Sequence, residues 1–309
     1  MSTLVPPSPV PPYGVAVLGS GPDARYACER FALHHDFAVV AELDPANIAT
    51  SIASLLKNDQ LHVIYFAGPD IGERSVGDLI SDGLQAGKHI VLRSGVVKDL
   101  ARHRDLTALA TDSVLAVVEE PRRWDEDFLN AQLLIDTGKL GSLKRIRLAT
   151  HELKFPGESF PNGILRDLGL HWMDQLLAFV KEDLASCNLR RNFSKEGTVD
   201  DGFVAVLEFT GGISAMIEIQ TTSLLSSRSG WFVEGTAGAY RNGRLYTRTD
   251  DGEIVDEPVE RPTEFQNGFV GTLAAAIGGD PIARSCLVSL THAVRVQAVM
   301  DSLLANEQR

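Results

Sequence analysis

Short apolar runs alternate with stretches of helical periodicity through the first third of the chain. Residues 15–18, 38–42, 63–67, 89–92 and 114–118 read as strands. Between them lie a helix through Phe31, one from Ala46 toward Leu56, one closing at Gly87 and one through Thr111. Strands that are apolar along their whole length, joined by helical crossovers, predict a parallel sheet covered on both faces. The rhythm changes after Glu119. A helix over 125–137 stops at Gly138, a strand runs near 143–150, and another helix covers 164–180. Strand-like stretches follow at 189–193, 203–209, 213–221, 231–234 and 244–249, with Gly211 and Gly212 as a hairpin turn between two of them. A helical pattern over 287–304 ends the chain, and no internal repeat is visible.

The predicted architecture is an α/β Rossmann domain with a parallel sheet, followed by an α+β domain with a mostly antiparallel open sheet. The expected boundaries are a leader over 1–13, a dinucleotide-binding domain over 14–121 and a second domain over 122–309. The leader is expected to be flexible because Pro6, Pro7, Pro9, Pro11 and Pro12 withhold amide donors from helix or sheet.

Length supports two domains, since 309 residues exceed the usual size of one. The 44% hydrophobic and 23% charged residues match an ordinary globular composition. Charge excludes one class of partner: 29 basic against 41 acidic side chains leave −12, without a Lys/Arg cluster, so nucleic acid is not expected. No apolar run reaches the roughly 18–20 residues that span a bilayer, and the N-terminus lacks a basic start with a continuous hydrophobic core. A cytoplasmic protein without membrane contact is the expectation. Cys28, Cys187 and Cys286 lie far apart without metal-ligand spacing, which reads as free thiols and no metal.

The chemistry-bearing signal follows the first strand. Gly19-Ser20-Gly21-Pro22-Asp23-Ala24 has the GxGxxA form and opens a helix. The first glycine permits a tight turn, the second admits a pyrophosphate to the backbone, and Ala24 keeps helix close to strand. Amides at the helix start face the phosphates. Asp44, 20 residues beyond Ala24 at the end of the second strand, is placed to accept from a ribose diol, which favours NAD, with NADP the alternative. Pro22 suits a first helical turn, where the amide is commonly unpaired.

Further along, Asp167-Leu-Gly169-Leu-His171-Trp-Met-Asp174 falls on a predicted helix and spaces its polar residues at i, i+4 and i+7, one face of an α-helix. With Val40-Ala-Glu-Leu-Asp44-Pro45, Ala86-Gly-Lys-His89, the run 134–141, Asp200-Asp201 and the run 234–239, the chain resembles the Gfo/Idh/MocA family, named for glucose-fructose oxidoreductase, inositol dehydrogenase and rhizopine catabolism. The resemblance covers nearly the whole chain. It implies an NAD(P)-dependent oxidoreductase acting on a sugar, polyol or related hydroxy or keto compound by hydride transfer. His171 and Asp167 are the implied catalytic pair, the imidazole moving a proton and the carboxylate orienting it. Implied cofactor contacts extend from the glycine turn and Asp44 to Gly68, Pro69, Arg93 and Ser94. Arg122, Lys154 and Asp174 are the implied substrate contacts, and the second domain's sheet implies a homodimer or homotetramer. From the residues alone, His171 reads as a satisfied core histidine and Lys154 as a solvated side chain, while Arg122-Arg123-Trp124 reads equally as an exposed basic turn.

One departure matters. Where the family carries Glu-Lys-Pro after the fourth strand, this chain has Arg93-Ser94-Gly95, so the family's lysine is replaced by Ser94. A serine hydroxyl cannot replace an ammonium group. Three explanations stand: His171 alone moves the proton; another cation among Arg93, Lys98, Arg122, Arg123 and Lys154 substitutes; or redox activity has lapsed, leaving an NAD-binding sensor or assembly protein. Hydrolysis or elimination of a glycoside with tightly held NAD is a further alternative.

Overall fold

The computed structural model describes residues 10–68, 75–94, 96, 114–151, 160–193, 199–222, 227–260 and 268–308. The chain divides into two compact units, one made of Met1–Pro121 and Glu264–Arg295, the other of Arg122–Thr263 and Val296–Arg309.

In the first unit, β1 (Tyr13–Leu18), β2 (Phe37–Leu43), β3 (Leu61–Phe66), β4 (His89–Arg93) and β5 (Ala116–Glu119) pair in parallel. The sheet order is β14-β5-β4-β3-β1-β2, where β14 (Val288–Ser289) joins antiparallel to β5. Ala16, Leu18, Ile64, Phe66, Ile90 and Leu92 pack on one face with Ile48 and Ile52 of α2 (Pro45–Leu56) and Leu79 and Ile80 of α3 (Val76–Gln85). Their neighbours in sequence, Val15, Val17, Val63, Tyr65 and Val91, are buried too. Burial on both faces is why these strands read as continuous apolar runs. Each fully buried Leu, Ile or Phe contributes about 1.5–3 kcal/mol. On the second face Phe31 of α1 (Gly21–Leu33) meets Tyr65 edge-on, ring centroids 5.5 Å apart.

Two boundaries differ from the expectation. Tyr13, assigned to the leader, belongs to β1: its amide donates to Asp36 O at 2.7 Å and its ring packs on Phe37. Residues 264–295, assigned to the second domain, return to the first unit. They carry α6 (Gly268–Ile277), α7 (Pro281–Cys286) and β14, and α8 (Leu290–Ala305) crosses the division. The helix expected through Thr111 lies outside the described residues.

The second unit holds a sheet whose order is β13-β12-β11-β10-β6-β9-β8-β7. The strands are β6 (Leu143–His151), β7 (Leu184–Phe193), β8 (Asp200–Phe209), β9 (Ser214–Gln220), β10 (Ser227–Gly235), β11 (Gly238–Arg241), β12 (Arg244–Arg248) and β13 (Ile254–Pro258). All neighbours pair antiparallel except β6 and β9. Along β6, buried Ile146, Leu148 and Thr150 alternate with exposed Arg145 and Arg147. Such alternation marks a sheet with one covered face, and here α4 (Glu126–Asp136) and α5 (Leu170–Phe179) contribute to the core on that side. The turn expected at Gly211-Gly212 is present, with Gly212 at φ +76° and its amide bonded to Phe209 O.

Candidate functional site

In the first unit, β1 runs straight into the turn that opens α1. Gly19 (φ +134°) and Gly21 (φ +80°) adopt backbone conformations that L side chains rarely take. A Cβ on Gly19 would stand 3.3 Å from Ala67 Cβ, so the turn presses against the end of β3. A Cβ on Gly21 or Gly68 would meet nothing within 4 Å. The glycines therefore leave backbone bare on the open side, where a pyrophosphate needs it. Gly19 N donates to Leu43 O and Ala67 N to Leu18 O, which ties the carboxyl ends of three strands together.

Asp44 caps α2, its Oδ1 accepting from Asn47 N at 3.1 Å, while Oδ2 carries no described bond. A carboxylate oriented by a helix start and holding an oxygen in reserve fits a ribose diol. At the end of β4, Arg93 forms an ion pair with Asp23 of the glycine turn. Ser94, which stands where the family has lysine, is buried at 8% exposure. Pro69 and Lys154, like Gly95 and Lys98, lie outside the described residues.

In the second unit, a π-helical turn over Leu165–Gly169 precedes α5. This wider turn, of a kind frequent at functional sites, breaks the single α-helix expected over 164–180. Gly169 is required there because a Cβ would come within 2.9 Å of the Phe203 ring. Of the three polar residues predicted on one face, Asp167 and Asp174 take different partners. Asp167 accepts from the Asn162 amide at 3.0 Å and from Asn162 Nδ2 at 2.9 Å. His171 is half-buried at the start of α5. Asp174 is 2% exposed and takes Arg123 Nε and Nη2 on its two oxygens. The carboxylate and Arg123 thus form a buried ion pair.

Arg122 does face open space. Its guanidinium lies 4.2 Å over the Trp172 ring and 3.3 Å from Asp125 Oδ2. Together these residues line a cavity of about 270 Å³ with Glu126, Asp127, Gln175 and Trp231. Gln175, fully buried, donates to Arg122 O and accepts from Trp231 Nε1 at 2.7 Å. Asp127 accepts from Trp231 N and Tyr240 Oη. Burial pushes its carboxyl above the ordinary range, against the opposing pull of those two donors. Tyr240 is raised as well, by burial and by Asp127. Aromatic faces beside carboxylates, an amide and a guanidinium suit a compact polyhydroxylated ligand. Sequence reasoning missed Asp125, Asp127, Trp172, Gln175 and Trp231. The acids read as ordinary first-turn residues of α4, and nothing local marks a buried glutamine as a clamp.

Among the described residues, His34, His35 and Asp36 at the α1–β2 turn each bring a ligating atom within 4.8 Å of the others. No helix among them is long and apolar enough to cross a membrane.

Residues 128–241 match the GFO/IDH/MocA C-terminal domain. The chain is 27% identical over 195 residues to an uncharacterised oxidoreductase of Schizosaccharomyces pombe, covering 55% of this chain and 52% of that protein. It is 29% identical over 126 residues to scyllo-inositol 2-dehydrogenase (NADP(+)) IolW of Bacillus subtilis, covering 38% and 35%. The chain thus spans about half or less of the length of these curated relatives. An NAD-binding protein from Listeria innocua shares the fold, with a TM-score of 0.70 at 21% identity and 96% of both chains covered. Residues 128–241 of this chain thus carry the likeness to the GFO/IDH/MocA C-terminal domain.

Proposed function

We propose that the protein is a nicotinamide-dependent oxidoreductase that acts on a sugar, polyol or related hydroxy or keto compound and prefers NAD. The observation that carries this reading is the glycine turn, bare on its open side at Gly21 and Gly68, with Asp44 at the end of the next strand. A bound nicotinamide supplies hydride acceptance or donation. The chain's own residues do the rest. The Gly19–Ala24 turn holds the pyrophosphate through its backbone N–H groups other than at Pro22, which has none, and Asp44 accepts from the ribose diol. Asp44 disfavours a 2′-phosphate by charge, whereas the Bacillus relative's name carries NADP(+). His171 moves the hydroxyl proton, and Asp167, anchored by Asn162, shapes the turn that presents it. Arg122 and the aromatic and acidic walls of the cavity bind a hydroxylated substrate, the class named for the inositol-oxidising relative. We further propose a cytoplasmic homodimer or homotetramer.

Fluorescence titration with NADH and NADPH, followed by turnover on inositols, aldoses and their keto forms, tests the reading. Micromolar NADH affinity with reduction or oxidation of one of these compounds supports it. Absence of binding by either cofactor at millimolar concentration rejects it. Buried Ser94 in place of lysine favours a second reading, a cofactor-binding protein without turnover; tight binding with no activity across the panel would select it.

A further inference from the structure

The Asp23–Arg93 ion pair crosses the carboxyl edge of the first unit's sheet. Arg93 ends β4, Asp23 stands in the first turn of α1 directly after β1, and β3 lies between β4 and β1. The pair therefore spans the end of β3, beside the open space at Gly68. Dinucleotides bind across the carboxyl ends of such sheets at this crevice. The two side chains act oppositely on a pyrophosphate there. A carboxylate in the turn repels it, while a guanidinium presents a fork of donors matched to phosphate oxygens. Neither partner is locked by burial, the side chains being 53% and 44% exposed.

We propose that Arg93 binds the cofactor's pyrophosphate, and that Asp23 competes for it, so that cofactor binding exchanges one anionic partner of the guanidinium for another. The inference rests on the reading of the first unit as a dinucleotide site. Charge is conserved in the exchange: one ion pair opens as another forms. Asp23, once released, keeps a favourable place at the positive end of α1. An acid in a phosphate-binding turn then has a purpose, because it fills the crevice with a displaceable partner and holds Arg93 across it.

The test is titration of the full chain with NADH, NADPH and ADP-ribose, the last lacking nicotinamide. Arg93→Gln is expected to raise Kd about tenfold for all three, the scale of one charge-assisted hydrogen-bond set. Asp23→Asn is expected to lower Kd severalfold for all three, and the double variant to fall between the singles. Matching thermal midpoints establish that each variant folds. Unchanged affinity in Arg93→Gln overturns the proposal while leaving the cofactor reading intact. Weaker binding in Asp23→Asn also overturns it, since the acid would then be orienting Arg93 rather than competing for it. A wild type that binds none of the three overturns both readings.

Discussion

Arg123 and Asp174 meet through two hydrogen bonds, with the guanidinium side chain 13% exposed and the carboxylate 3% exposed. The pair joins the segment Pro121–Trp124 to α5, the helix that carries His171. Gln175, the next residue, grips the Arg122 carbonyl in the same way. The geometry around the cavity depends on these two neighbours.

Removing one partner of a buried pair strands the other charge. Asp174→Asn or Arg123→Met is therefore expected to destabilise the protein by about 3–5 kcal/mol. Urea unfolding monitored by circular dichroism measures this, and a loss below about 1 kcal/mol would mean the pair does not hold the segment.

His89 begins β4 at 5% exposure, and its Nδ1 accepts from Leu115 N at 3.0 Å. Burial first, then His62 and Arg284, lowers it from 6.5 to about 4. The fold thus keeps the ring neutral, while the unfolded chain takes up a proton below pH 6.5. Stability is expected to rise with pH across the window from about 4 to 6.5, and to fall as acid is added through it. The loss approaches about 3 kcal/mol at the acid end, at 1.36 kcal/mol per unit. Denaturant midpoints at several pH values check the sign, and His89→Gln should flatten the slope. Equal slopes in wild type and variant would acquit His89.

Asp44→Ala removes the acceptor that reads the diol and the charge that repels a 2′-phosphate. NADH affinity is expected to fall about tenfold, the scale of a hydrogen bond to a charged group, while NADPH affinity holds or improves. Paired titrations settle the matter, and an unaltered preference would remove Asp44 from the site.

If His171 moves the substrate proton, His171→Ala is expected to lower turnover about a hundredfold or more with cofactor affinity nearly unchanged. Ser94→Ala should do far less, since the hydroxyl is buried and weakly acidic. Steady-state kinetics separates the two. Ser94→Lys, checked for folding, asks whether activity on an ordinary polyol appears when the family's ammonium returns; full activity in His171→Ala would defeat the proposed role.

The pattern of β1 through β4 was legible because every determinant is local: apolar runs of strand length, a helix period between them and glycines at the turn. The predicted strands at 15–18, 38–42 and 89–92 fall inside β1, β2 and β4. The antiparallel sheet was legible for the same reason wherever side chains alternate. It was not legible at β13, whose residues are all exposed, and in the first unit's sheet β14, two residues long, was not legible either. Neither carries a period to read.

Composition, the glycine turn and the order of elements determined the fold class and the dinucleotide-binding signal, because sheet burial and turn chemistry act over a few neighbouring residues. Only the tertiary structure decided that residues 264–295 return to the first unit, and that Asp174 belongs to Arg123. It likewise decided that Asp23 belongs to Arg93, and that Asp127, Gln175 and Trp231 gather around one cavity. Helical spacing sets which residues share a face, but a π turn shifts that register, and the partner of a charge is chosen across 51 positions for Asp174 and 70 for Asp23, where desolvation leaves no alternative or chain topology brings the groups together.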